Sequence, residues 1–191
     1  MNTKLVCAFA LATALAPVAH ASVLTFDDLS PGTAFFTTDY QGFRFGTNDI
    51  ATTAWFHTDA VSPFFTPSTP PKFVATDFTL YSGDEFEQTQ PISRMVDFIF
   101  NGAAFSGFDR VRFDLYLDGT LVHTSADSPE LGSVPVFVAS GYGGFVDAVV
   151  VRGTQGFYAM DNFTFNVPEP DTYVLAALAL VTAGAMRRKV R

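Results

Sequence analysis

The chain has 191 residues, 16% charged and 15% aromatic, with 22 Phe and a formal net charge of −8. Between its two apolar ends, residues 22–166 hold 17 acidic against six basic side chains, a formal −11, which excludes a nucleic acid backbone as partner and suits solubility or divalent cations. The single cysteine, Cys7, lies in a segment expected to be removed, which excludes disulfides, thiol catalysis and Cys-ligated metals from the rest.

Residues 1–21 read as a secretory signal peptide. Lys4 supplies the positive start, Leu5 to Leu15 the apolar run, and Ala19-His20-Ala21 the small-x-small cleavage site. The next 145 residues, 22–166, suit one domain with one core. Phe favours strands, so the composition leans towards β structure.

In chain order, alternation and β-branched or aromatic enrichment predict strands at Val23–Phe26, Gly42–Gly46, Thr53–His57, Phe73–Leu80 and Met95–Phe100. A proline-rich loop, Ser62 to Pro71, separates the third from the fourth. The clearest strand is Val111–Leu117. Val111, Phe113, Leu115 and Leu117 share one face, and Arg112, Asp114 and Tyr116 share the other. Asp118-Gly119 then suits a two-residue hairpin turn with positive φ, and Thr120–Thr124 returns. Further strands are predicted at Val134–Ala139, Val146–Val151 and Phe157–Phe165. Phe98-Ile99-Phe100 and Val149-Val150-Val151 are apolar on both faces, which predicts central positions. Turn residues punctuate the chain at Pro31-Gly32, Ser82-Gly83-Asp84, Asn101-Gly102 and Gly143-Gly144. No three-turn helical pattern stands out in this stretch. The fold class predicted is therefore all-β, a β-sandwich of the jelly-roll type.

The tail, residues 167–191, has three parts. Pro168-Glu169-Pro170 stops regular structure, Thr172 to Met186 is an apolar Ala- and Leu-rich run, and Arg187-Arg188-Lys189 follows. The run reads as a single transmembrane helix whose basic end stays cytoplasmic, which places the domain outside. At about 1.5 Å per residue it covers roughly 22 Å of a hydrocarbon core of about 30 Å, so it spans with snorkelling or local thinning.

Val167-Pro168-Glu169-Pro170, the short apolar helix and the Arg187-Arg188-Lys189 cluster together resemble the PEP-CTERM sorting signal of Gram-negative bacteria. Asp171 stands where that family commonly has Ser or Thr. The resemblance implies recognition by exosortase, a membrane protease-transpeptidase, and association with exopolysaccharide and biofilm. A second resemblance concerns the domain. Leu24-Thr25-Phe26-Asp27-Asp28-Leu29 with Pro31-Gly32, Tyr40 to Phe45, and the closing Tyr158-Ala159-Met160-Asp161-Asn162-Phe163 look like secreted jelly-roll domains of the carbohydrate-binding-module kind. In those, first and last strands lie close together and can share a structural Ca²⁺.

Three chemistries follow. Ca²⁺ takes six to eight oxygen ligands. Asp27, Asp28 and Asp161, with the Asn162 amide oxygen, are the candidates for one structural Ca²⁺, against ordinary turn-capping roles. Sugar binding needs exposed rings. Trp55, the single tryptophan, and Tyr116 are the candidates, with Tyr40, Tyr81 and Tyr142 behind them, and core packing is the competing role. Glycan hydrolysis needs two converging carboxylates. Asp84, Glu85 and Glu87 cluster, but a charged loop is usually a solvated one. His57 and His123 are expected at surface or edge positions, no G-x-S-x-G, H-E-x-x-H or P-loop occurs, and no catalytic residue is assigned. The sequence thus predicts an exported, non-catalytic cell-surface or matrix protein, held by a membrane helix until processed. A carbohydrate-binding module with a defined glycan and an extracellular glycan hydrolase are the rivals.

Overall fold

The computed structural model describes residues 21–47, 55–60, 63–76, 90–153 and 157–167, and the backbone of 87–88. The expected signal peptide before Ala21, the Pro168–Arg191 tail, and Tyr81, Asp84 and Glu85 lie outside the described residues. Residues 21–167 cluster as one compact unit.

Among the described residues the regular structure is all strand: β1 (Ala21–Leu24), β2 (Ala34–Phe35), β3 (Phe43–Phe45), β4 (Trp55–Thr58), β5 (Phe73–Thr76), β6 (Glu87–Gln88), β7 (Ile92–Gly107), β8 (Val111–Leu117), β9 (Thr120–Thr124), β10 (Val136–Ala139), β11 (Val146–Gly153) and β12 (Tyr158–Asn166). Every pairing is antiparallel. The short β2 and β6 have too few residues to show alternation and were not legible in the sequence.

One strand organises the rest. The first half of β7, Ile92 to Phe98, pairs with β3 on one side and β11 on the other; β8 and β9 continue beyond β11. Its second half, Ile99 to Gly107, pairs with β12 and β10, and β5, β4 and β2 continue beyond β12. β1 lies on the same edge of β12 as β5, with Ala21 opposite Asn166 and Leu24 opposite Phe163. The two sets share an aromatic core. Phe43 of β3 meets Phe163 and Phe165 of β12 at ring separations of 5.3 and 4.7 Å. Phe113 of β8 meets Phe100 and Phe105 of the second half of β7 at 4.9 and 5.8 Å. Each fully buried Phe contributes roughly 1.5–3 kcal/mol by leaving water. Edge-to-face pairs add roughly 0.5–1.5 kcal/mol each.

The sequence reading of Asn101-Gly102 as a turn is corrected. β7 runs straight through it, because Gly102 meets the backbone of β10 at close range. Gly102 has φ +143°, and a Cβ there would sit 2.2 Å from the Val138 carbonyl oxygen. Gly107 is held in the same way, 2.2 Å from the Phe157 carbonyl oxygen. Glycine marks a close backbone approach at both places rather than a reversal.

The hairpin expectation agrees with the structure. Leu117 pairs with Thr120 across Asp118 (φ +50°) and Gly119 (φ +72°), the left-handed pair that such a turn needs. Val149, Val150 and Val151 are buried in β11, between β7 and β8.

Candidate functional site

Two regions hold the candidate residues. The first joins the chain's opening and closing strands. β12 carries an irregularity between Asp161 and Thr164, and Asn162 sits in it with φ +50°. Facing it, Phe26 after β1 also has a positive φ, +61°, which is unusual for a bulky side chain. Both residues therefore re-aim an aspartate beside them, Asp27 and Asp161.

Asp161 is 2% exposed and is satisfied by the proline-rich loop. The Thr69 backbone N–H donates to its Oδ2 at 2.7 Å, and the Asn162 N–H donates to its Oδ1 at 2.6 Å. The Thr69 hydroxyl lies 3.1 Å from Asp161 Oδ2 and 3.0 Å from Asn162 Oδ1, with one hydrogen to serve either. Burial pushes the Asp161 carboxyl up to about 6; the donors from Thr69 and Asn162 pull it back, and the charge of Asp27 adds to the rise. Asp27 itself accepts the Lys72 backbone N–H at 3.4 Å.

Asp28 goes elsewhere. Its Oδ1 accepts the Tyr40 hydroxyl, and burial together with that carboxylate raises the Tyr40 phenol well above its ordinary value. The structure thus brings Asp27, Asp161 and Asn162 together and leaves Asp28 out. The donor set is two carboxylates and one amide oxygen. Among the described residues no group of three acidic, His or Cys side chains gathers for a metal. Thr69 was missed in the sequence because its partner lies 92 positions away and no local pattern links them.

The second region is the outward face of the β3–β7–β11–β8–β9 set. Arg44 lies opposite Ser93, Ser93 opposite Ala148, Ala148 opposite Tyr116, and Tyr116 opposite Leu121. Cross-strand partners share a face, so these five side chains form one row across five strands. Tyr116 is half-buried in it. The next row holds Val150, Asp114 and Thr124, and then Arg152 opposite Arg112. Two arginines directly opposite repel one another. Asp114 relieves this: it pairs with Arg152 and accepts the Thr124 hydroxyl at 2.8 Å, while Arg112 lies 3.6 Å from Asp127. Asp114 is buried despite its place on the polar face, because these partners cover it.

The two other candidates on β4 are corrected. Trp55 is not an exposed ring but a core side chain, 0% exposed, packed edge-on to Phe45 and donating its indole N–H to the Gln90 carbonyl at 2.8 Å. It satisfies the rule that a buried indole finds an acceptor. His57, expected at a surface or edge, is 5% exposed against Phe36, and its Nδ1 has no hydrogen-bond partner. Burial, then the nearby Lys72 charge, lower its pKa; Asp59 pulls the other way.

β12 ends at Asn166, and the chain passes through Val167 into the proline motif. Residues 166–189 match the PEP-CTERM protein-sorting motif. The match takes in Pro168, Glu169 and Pro170 and the Arg187-Arg188-Lys189 cluster. A PEP-CTERM tail implies export and processing by exosortase, a membrane enzyme. The PEP-CTERM match begins inside the domain's last strand, since Asn166 pairs with both Ala21 and Ile99. Among the described residues no helix is long and apolar enough to cross a membrane; the expected C-terminal helix lies outside them. No curated protein and no solved structure matches the chain.

Proposed function

We propose that the chain is a non-catalytic protein of the cell surface or extracellular matrix, whose jelly-roll β-sandwich contacts exopolysaccharide after exosortase has processed its tail. The observation that carries this reading is the sorting motif at residues 166–189. The sandwich is supported by the two strand sets that share β7 and meet through Phe43, Phe113 and Phe163. The glycan contact is supported by Tyr116, a half-buried aromatic side chain on the outward face, in one row with Arg44, Ser93, Ala148 and the exposed Leu121.

The non-catalytic part is supported by how the buried acids are used. Asp161 is taken up by Thr69 and Asn162, and Asp114 by Arg152 and Thr124. Both serve as fixed acceptors within the fold.

The test is made in the producing cell. Replacing Pro168-Glu169-Pro170 by alanines should leave the uncut chain in the membrane fraction, whereas the wild-type protein appears at the surface or in the matrix without its tail. Recovery of the intact chain from the cytosol, or unchanged processing of the alanine variant, would remove the reading.

A structural Ca²⁺ belongs to the same proposal, favoured by the convergence of Asp27, Asp161 and Asn162 at the junction of β1 and β12. Those residues supply three of the oxygens that Ca²⁺ takes, and carbonyls and water would have to supply the rest. Thr69 would also have to give up its two bonds to Asp161. Calorimetry with Ca²⁺, and melting with and without a chelator, decide the point: no heat and no shift mean that Thr69 alone satisfies Asp161.

A further inference from the structure

β10 is an edge strand. Among the described residues its one partner strand is β7, with Val136 opposite Phe105 and Ala139 opposite Gly102. Just past its end, the Ser140 N–H donates to the Asn101 carbonyl at 2.9 Å, so Ser140 aims its backbone groups at β7. Antiparallel ladders alternate residue by residue. Val138 and Val136 therefore aim theirs at β7 as well, and the N–H and C=O groups of Phe137 and Ala139 point away from it. Val136, Phe137 and Ala139 are exposed, Phe137 to 55%. The Phe137 ring does not cover this open side. It leans back over β7, where a Cβ on Gly102 would stand 2.8 Å from its Cζ. The missing side chain of Gly102 thus makes room for the ring and leaves the outer edge of β10 bare.

Unpaired strand edges are usually blunted by charge, proline or bulges. β10 has one such device beside it, Pro135, whose place in the alternation puts its missing N–H on the open side. Charge is absent. Residues 131–146 contain no acidic or basic side chain, in a domain of formal −11. By contrast, β3 carries the Arg44–Asp39 pair, and β9 lies between Asp118 and Asp127.

An open backbone edge takes an extended strand, and the sequence of β10 itself supplies one that fits. Turned about a two-fold axis at Val138, β10 meets a second β10 antiparallel. Phe137 then faces Ala139 of the second copy, and Ala139 faces its Phe137, a large side chain beside a small one each time. Each of these pairs exchanges both of its backbone hydrogen bonds. A slip towards Pro135 would oppose the two Phe137 rings and set Ala139 against a residue without an N–H. Charge argues for the same occupant. Two acidic domains repel, so they approach closely only where neither carries charge, and this strip is such a place. A basic partner would find nothing here to pair with.

We propose that β10 is a self-association edge: two copies of the domain join β10 to β10, antiparallel about Val138, into one continuous sheet. This contact is independent of the glycan reading. A pair of four-residue strands is smaller than the roughly 800 Å² per partner of a standard interface, so the dimer is reversible and depends on concentration.

The experiment uses the full chain in detergent micelles, followed by sedimentation and by backbone amide hydrogen exchange over a range of protein concentration. In the dilute protein the Phe137 and Ala139 amides should exchange freely, while those of Val136 and Val138 are protected by β7. As the dimer forms, the Phe137 and Ala139 amides should slow together. Ala139→Pro removes a donor from the open side of each copy and takes none from β7. It should weaken dimerisation about tenfold or more, the range for two lost hydrogen bonds, with the far-UV spectrum unchanged. Added salt should tighten the dimer, because it screens like charges. A chain that stays monomeric, a dimer in which both amides keep their fast exchange, or a folded Ala139→Pro variant that dimerises as well as wild type overturns the proposal. The last two results place the contact elsewhere, the tail included. A dimer that loosens in salt overturns it too. Should Ala139→Pro fail to fold, the two wild-type amides still decide. Protection of these amides that appears only on adding an envelope extract, with the chain monomeric, gives the edge to another partner and overturns the second copy.

Discussion

The two halves of β7 differ more than many separate strands do. Gly102 and Gly107 in the second half lie against the carbonyls of Val138 and Phe157, at distances that leave no room for a Cβ. In the first half, Ser93, Arg94 and Met95 line an open groove, and Met95 is almost wholly exposed. One backbone thus serves as a packed wall at one end and as the side of an open groove at the other. The comparison teaches that tolerance to change is set by what the neighbouring strand does. β10 and the Phe157–Tyr158 segment close on the second half. The groove-lining face of the first half is left uncovered.

The largest expected effect tests the closed half. Gly102→Val adds a branched side chain at a positive φ, into a space 2.2 Å from a carbonyl oxygen. Strain and overpacking together should cost about 3–5 kcal/mol and shift the urea midpoint accordingly. A midpoint within error of wild type would mean that β10 does not close on β7.

Asp114→Ala tests the polar rows outside the groove. It leaves Arg152 opposite Arg112 without the carboxylate between them and takes the acceptor from Thr124. Because Arg152 is partly exposed, the cost should be about 2–3 kcal/mol, below that of breaking a fully buried pair. Chemical denaturation measures it, and the loss should persist in Arg152→Met Asp114→Ala only in reduced form.

A smaller effect concerns His57 of β4. Its folded pKa is lowered, so the stability from burying the neutral ring is full above the unfolded value of 6.5 and is lost as pH falls through it. Asp161 acts in the opposite sense: its carboxyl, raised from 3.8 to about 6, costs stability above that pH, and the cost fades on acidification. Asp161 is common to wild type and His57→Gln. The fall in melting temperature from pH 7.5 to 5 should therefore be steeper in the wild type, and equal slopes would contradict the buried neutral ring.

The smallest effect belongs to the open half. Met95→Thr should change stability by less than about 0.5 kcal/mol, as expected where almost nothing is touched. A loss above 1 kcal/mol would show that the groove rim is covered in solution.

What could be read along the chain was whatever depends on near neighbours. Val111–Leu117 alternates, Asp118-Gly119 supplies two left-handed residues, and the hairpin follows, because turn and pattern lie within a few positions. The tail motif was legible for the same reason: Pro168, Glu169, Pro170 and the basic cluster form a contiguous signal. Only the folded chain decided the rest. It turned Asn101-Gly102 from an expected reversal into a close approach and put Trp55 in the core. It also chose Asp27 over Asp28 as neighbour of Asp161 and left Arg94 without an acid. In each case the deciding partner is remote in sequence: β10 for Gly102, the Gln90 carbonyl for Trp55, the proline-rich loop for Asp161. A local pattern can say that a side chain is aromatic or charged. Which groups close over it depends on strands brought together by an aromatic core that the chain assembles from its whole length.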